Sequence, residues 1–225
     1  MQPVAAPVSR PPPARRPAFP PWMAAAAVGI VICIAGFILL RPSGDGSPFQ
    51  YYGQWIGKDA PDFALTDQDG KTTRLGDLRG HLVLITFGFI HCPNICPTTL
   101  ANLAAICQSL PAADQQRVRV LFITVDPARD SPKSLGQYVH FYNPSFTGLT
   151  GGADQIAKVA KDYGAYYESV PQQSQIAGDY YTINHSAYVY LIDPRGRYAI
   201  LYDNGKLADH AGMARDIEHL LRSAG

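Results

Sequence analysis

A mixed β-sheet with helices on both faces, preceded by one membrane-spanning helix, is the architecture this sequence predicts. Three observations carry it. Two apolar, β-rich runs, HLVLITFGF (81–89) and RVRVLFITVD (117–126), have the composition of buried strands. Segments with helical apolar spacing follow each of them. An uncharged run, WMAAAAVGIVICIAGFILL, fills residues 22–40 ahead of the whole domain.

Residues 1–21 hold eight prolines and three arginines and too little apolar surface for a core, which predicts a disordered tail. The 19 residues from Trp22 to Leu40 would span roughly 28 Å as a helix, close to the thickness of a bilayer's hydrocarbon core. Trp22 suits one membrane interface, and Arg41 closes the other end. A cleaved signal peptide would have a shorter apolar region and a small-residue cleavage site, and RPSGDGSP after Leu40 offers a poor one. Three arginines precede the span and one follows it, so the positive-inside rule places the N-terminus in the cytoplasm. The body then faces the periplasm or an equivalent intermembrane compartment. The Ala/Pro-rich leader, without an amphipathic transit helix, favours a bacterial inner membrane. Cys33 lies within the span after Ile32 and reads as a small apolar residue there.

A linker is expected over 41–56 and one domain over 57–225. APDFALTDQDGKTTRL (60–75) contains two short strands around Asp69-Gly70. HLVLITFGF is the central strand. TTLANLAAICQSL (98–110) places Leu100, Leu103, Ala104, Cys107 and Leu110 on one helical stripe, so Cys107 is expected to be core and inert. RVRVLFITVD is the next strand. DSPKSLGQYVHFY opens a helix with Ser131 as N-cap and Pro132 at its first position. GADQIAKVAKDYG is a further helix ending at Gly164. SAYVYLID-PRGR-YAILYD reads as a hairpin. AGMARDIEHLLRSAG closes the chain as a helix with Met213, Ile217, Leu220 and Leu221 on one side.

After position 41 there are 15 basic and 18 acidic residues, a net charge of −3. With no basic stripe interleaved with aromatics, nucleic acid is excluded as the partner. Four cysteines are too few for a disulfide scaffold in 225 residues.

The chemistry concentrates in GFIHCPNICP (88–97). Cys92 and Cys96 follow the central strand, and Pro97 suits an early helical position. Cys96 therefore falls at or next to a helix N-terminus, where the dipole lowers thiol pKa. Three intervening residues set the two cysteines about one helical turn apart. Such a pair can close as a disulfide or hold a soft ion such as Cu(I), which would need a third ligand. The chain has six histidines. His81, His140, His210 and His219 read as surface or element-end residues. His91 adjoins Cys92 and either tunes the site or faces solvent. His185 opens HSAYVYLID, expected as the strand beside the central one, so its start could approach the cysteine loop. Spacing alone leaves its role as ligand open.

GFIHCPNICP, VDPARDSP and INHSAYVYLIDPRG, in that order, resemble the three signatures of the Sco/SenC proteins, and the resemblance covers roughly residues 57–222. It implies a thioredoxin-like fold on a single membrane helix. It implies copper, as Cu(I) and Cu(II), bound by Cys92, Cys96 and His185. It implies a role in building the dinuclear CuA site of cytochrome c oxidase subunit II, alongside other periplasmic copper chaperones. Cys92 and Cys96 would double as a redox-active disulfide, and Asp126, Asp130 and His91 are possible supporting residues. Asn94 departs from the pattern, since many members carry Asp between the cysteines. Residues 164–182 would be the variable extension before the histidine, able to let His185 approach or leave the metal.

Two alternatives use the same cysteines. A thiol-disulfide reductase would keep the CuA cysteines of the target reduced, with Cys92 and Cys96 as attacking and resolving thiols. It has no evident need for His185, whereas copper retention does. A peroxidase of the peroxiredoxin type would want a Thr just ahead of its cysteine in a loop, and Thr86 falls within the strand instead. Asp126-Pro127 can also be read as a strand-end turn, and Asp130 as a partner of Arg129 or a helix cap.

Overall fold

The computed structural model describes residues 49–171 and 181–224. The expected tail (1–21), the anchor (22–40), Cys33 and the first half of the linker (41–48) lie outside the described residues, as do 172–180 of the extension. Among the described residues no helix is long and apolar enough to cross a membrane. Contacts divide the chain after Phe49, and the architecture is that of the unit Gln50–Gly225.

The strands are β1 (Gln54–Asp59), β2 (Ala64–Asp67), β3 (Thr72–Arg74), β4 (Leu82–Gly88), β5 (Val118–Thr124), β6 (Thr147–Thr150), β7 (Tyr167–Pro171), β8 (Tyr181–His185), β9 (Tyr188–Ile192) and β10 (Arg197–Asp203). The helices are α1 (Ile95–Ser109), the short α2 (Ala112–Gln115), α3 (Pro132–Tyr142), α4 (Ala153–Tyr163) and α5 (His210–Ser223). Eight strands form one mixed sheet in the order β1-β10-β9-β4-β5-β6-β2-β3, and β7 pairs with β8 in a separate antiparallel ribbon.

All seven residues of β4 are buried, because it lies parallel to β5 on one side and antiparallel to β9 on the other. A strand covered on both faces needs the continuous apolar run that the sequence supplies. Alternation along the strands then sorts the helices. Phe87 is in register with Ile123, and Thr86 with Phe122, so Phe87 and Phe122 point to opposite faces. Phe87 meets Tyr163 of α4 at 6.1 Å between ring centroids, and Phe122 meets Tyr138 of α3 at 5.6 Å. Helices therefore cover both faces, as expected.

Local signals are realised closely. The Ser131 hydroxyl accepts from the Ser134 N–H, with Pro132 opening α3. Gly164 ends α4 at φ +70°, a conformation that costs little without a Cβ. Met213, Ile217, Leu220 and Leu221 are buried on α5.

One boundary needs correction. The sheet begins at Gln54, within the segment expected to be linker (41–56). Buried Asp216 on α5 accepts the N–H groups of Tyr52 and Gly53, each at 3.0 Å, and the Tyr202 hydroxyl at 2.9 Å. Tyr51 stacks on Trp55 at 4.6 Å. The Gly/Pro/Ser composition that suggests a linker ends before these tertiary anchors begin.

Candidate metal centre

The central strand delivers its chain directly to the site. After Gly88 the backbone turns, with the Cys92 N–H donating to the Phe89 carbonyl at 3.2 Å, and α1 starts at Ile95. Cys96 is thus the second residue of the helix and Pro97 the third, as the sequence implies. Both cysteines are free thiols, 7% and 2% exposed. Gly88 makes the close approach possible: a Cβ there would lie 2.5 Å from Cys96 Sγ and 2.7 Å from Phe122.

The two thiols are not equivalent. The Cys92 pKa is driven down, first by a hydrogen bond from Cys96, then by the His185 ring and by the N–H groups of Asn94 and Cys96. The Cys96 pKa is driven up by its bond to Cys92 and by burial. The two thiols are coupled: a proton held on Cys96 favours the thiolate at Cys92. Cys107, buried on α1, is pushed up to about 11 by burial alone and stays protonated, the inert role its stripe predicts.

His185 completes the cluster, but not from the expected element. It ends β8 and pairs with Tyr167 in the ribbon, while the strand beside β4 is β9, starting at Tyr188. Its Nε2 lies 3.4 Å from Cys96 Sγ, and its Nδ1 is 3.2 Å from the Ser186 carbonyl. A carbonyl only accepts, so Nδ1 donates to it, and Nε2 is the ring atom left to face the sulfurs. Phe89 meets the imidazole edge-on at 5.8 Å. Ligand atoms of Cys92, Cys96 and His185 all lie within 4.8 Å of one another. One first-row metal with bonds of roughly 2.0–2.3 Å would bring three such atoms to separations of about 4 Å, so the cluster fits a single ion with little movement. His185 is half-buried and is its more open side. The sulfurs lie deeper than a shallow donor site would place them.

The aspartates lie behind the cluster. Buried Asp126 accepts from the Tyr181 hydroxyl at 2.6 Å and forms an ion pair with Arg129. Buried Asp130 accepts from Thr124 at 2.6 Å and from the Ile90 N–H at 3.1 Å. The expected partnership of Asp130 with Arg129 is therefore replaced by Arg129–Asp126, because the turn after β5 sets those two side chains together. Asp130 instead fastens the cysteine loop. Exposed His91 lies 3.8 Å from Asp130 and does not join the ligand cluster.

The other histidines take structural contacts or solvent. His81 meets Arg119, His210 meets Asn102, His219 meets Tyr51 edge-on, and His140 is exposed. Thr86 is buried within β4 and donates to the Tyr188 carbonyl, so it is not the loop threonine that a peroxidase would want just ahead of its cysteine. Gly88, Phe89 and Tyr181 escape the sequence reading. The available signal for Tyr181 was strand alternation, which sets 181, 183 and 185 on one face.

A thioredoxin-like α/β domain with a Cys-Cys-His cluster at its strand–helix junction is the class of protein that this fold and site define. The SCO1/SenC family model matches residues 57–222. The bovine mitochondrial SCO2 homolog is 39% identical over 149 residues, covering 66% of this chain and 55% of that protein. The chain thus spans just over half the length of that relative. The SCO2-like protein of Rickettsia prowazekii is 39% identical over 168 residues, covering 72% and 79%. Among solved structures, apo Sco1 of Thermus thermophilus aligns with a TM-score of 0.68 at 33% identity over 78% of this chain and 99% of that one. Copper-bound ScoI of Bradyrhizobium japonicum aligns at 0.63 and 34% identity over 73% and 99%. The chain belongs to the SCO1/SenC family.

Proposed function

We propose that the protein is a membrane-anchored copper carrier that binds one copper through Cys92, Cys96 and His185 and delivers it to the CuA site of cytochrome c oxidase subunit II. The observation that carries this reading is the convergence of two sulfurs and one imidazole nitrogen within 4.8 Å. Two thiolates suit Cu(I), and the imidazole adds a ligand acceptable to Cu(II). The copper-bound state of the Bradyrhizobium relative supports the same cargo here. Residues 22–40 anchor the protein in a bacterial inner membrane, with residues 1–21 cytoplasmic and the domain periplasmic, on the sequence argument above.

A second reading is favoured by the unequal thiols. A thiolate on Cys92 beside a protonated Cys96 suits disulfide exchange, with Cys92 attacking a target disulfide and Cys96 resolving the mixed disulfide. The two products are the reduced target dithiol and the Cys92–Cys96 disulfide.

Anaerobic titration of the reduced, detergent-solubilised chain with Cu(I) and Cu(II), beside His185→Ala, separates the two. One copper per chain, strongly weakened in the variant, is the expected result for a carrier. Dithiol exchange without tight copper binding would replace it with the reductase.

A further inference from the structure

We propose that Arg129, Asp126 and Tyr181 form a latch that seats His185 on the two sulfurs, making them positioning residues for holding and releasing the metal. The inference rests on the reading of Cys92, Cys96 and His185 as copper ligands.

His185 rides on a two-stranded ribbon outside the main sheet, so its position depends on how that ribbon is fastened. Tyr181, at the other end of β8, is where the domain grips it. The Tyr181 hydroxyl donates to Asp126 Oδ1 at 2.6 Å, and Arg129 Nη1 donates to the Tyr181 carbonyl at 3.0 Å. The guanidinium lies 3.6 Å from the centroid of the Tyr181 ring, a close cation–π contact. Arg129 is itself fixed by its ion pair with Asp126, three residues before it on the turn after β5. One tyrosine is thus held by its hydroxyl, its ring and its backbone together. A planar guanidinium can serve ring, carbonyl and carboxylate at once, which an ammonium cannot.

The grip reaches His185 by two routes. Tyr181, Ile183 and His185 share one face of β8, and ladder pairing with β7 along the strand makes it a stiff lever roughly 13 Å long. Ile183 is buried between them, so the face lies against the domain. The second route is shorter. Arg129 also lies 5.9 Å from the Phe89 ring, whose edge-on partner is His185. Tyr181, Arg129, Phe89 and His185 thus touch in series, the last contact meeting the imidazole edge-on. Cys96 is held separately in the first turn of α1, and Cys92 in the loop that Asp130 fastens through the Ile90 N–H. Opening the latch therefore withdraws the imidazole and leaves the metal on two sulfurs, the arrangement from which a partner's ligands can take it.

The test uses the full chain in detergent micelles, loaded with one equivalent of copper. Release to a chromophoric chelator is followed by stopped flow, and the nitrogen couplings of bound Cu(II) by EPR. Tyr181→Phe removes one hydroxyl, and Arg129→Gln removes the charge. Both are expected to speed release roughly 10-fold, the size of effect typical of groups that orient metal ligands, and to weaken the nitrogen signature while both thiols still titrate. Added to His185→Ala, neither should change release further, because the latch acts only through that imidazole. Wild-type release and EPR in both variants, with fast release in His185→Ala, would overturn the latch and leave the ligand set intact. Undiminished acceleration in the His185→Ala background would overturn it as a general structural effect. Slow release and unchanged EPR in His185→Ala alone would remove the ligand assignment, and the latch with it. Should Arg129→Gln fail to fold, Tyr181→Phe carries the test.

Discussion

The two halves of the metal cluster are held by very different structures. Cys92 lies in the short loop after β4, a strand buried along its whole length between β5 and β9, and Cys96 in the first turn of α1, which packs into the same core. His185 comes from a two-stranded ribbon outside that sheet and is half-buried. Two strands alone are marginal in water, whereas the centre of an eight-stranded sheet is the last part of such a domain to open. One side of the site is thus a fixed platform and the other a movable arm. The proposed carrier role would use both: sulfurs that keep their geometry in the empty protein, and a third ligand that can be withdrawn without unfolding the domain.

The sharpest way to break this comparison is to truncate each half. Leu84→Ala removes a fully buried side chain from β4 and should cost about 2–5 kcal/mol, measured by denaturant unfolding. Ile183→Ala in the ribbon should fall at or below the bottom of that range, because the arm can settle into the gap. Equal losses would mean that the ribbon is as integral to the fold as β4. Gly88→Ala comes next. Its new Cβ meets Cys96 Sγ and Phe122, so about 1–3 kcal/mol should be lost and copper binding should weaken together with stability.

His185→Ala should separate the two properties that Gly88→Ala couples. Copper affinity should fall by at least about 10-fold, while stability changes by no more than about 0.5 kcal/mol, as for a partly exposed side chain. The platform itself can be probed by pH. Because the Cys92 pKa is lowered, its thiolate should persist below the ordinary thiol range and be alkylated at mildly acidic pH. Cys107, raised to about 11, should react only in strong alkali or after unfolding. Peptide mapping after iodoacetamide treatment at a series of pH values checks both. Equal onset for the two residues would mean that the helix and Cys96 do not stabilise charge at Cys92. The smallest effect is expected at Asn94, the N-cap of α1, whose side chain makes no capping bond. Asn94→Asp should stabilise the helix by about 0.5 kcal/mol and shift the onset of Cys92 alkylation slightly upward, through like-charge repulsion.

The platform was legible because its determinants are contiguous. A run of apolar residues, two cysteines one turn apart and a proline at the start of a helical stripe specify strand, loop and helix within about 30 residues, with each local preference agreeing with the next. The arm was not. The sequence read His185 as the start of β9, since HSAYVYLID is continuous in β character, and the chain instead leaves β8 at His185 and enters β9 at Tyr188. That division depends on pairing between Tyr167–Pro171 and Tyr181–His185, partners that no local pattern announces. Asp126 was suspected as a supporting residue, but its true partners, Arg129 and Tyr181, lie 3 and 55 positions away. The onset of the domain at Gln54 likewise depends on Asp216, more than 160 residues downstream.

By itself, the sequence determined the order of the main helices and of six strands (though not β1, β6, β7 or β8), the buried identity of the central strand, the pair of thiols at a helix N-terminus and the inert placement of Cys107. All of these follow from periodicity, apolar runs and capping residues acting over a few turns of chain. Only the tertiary structure decided that His185 meets the sulfurs from a separate ribbon, that Gly88 must lack a side chain for Cys96 to fit, and that Arg129 clasps Tyr181. These are encounters between segments tens of residues apart. Their geometry is set by how strands pair and which faces pack, and those choices minimise exposed apolar surface and unpaired polar groups over the whole domain at once.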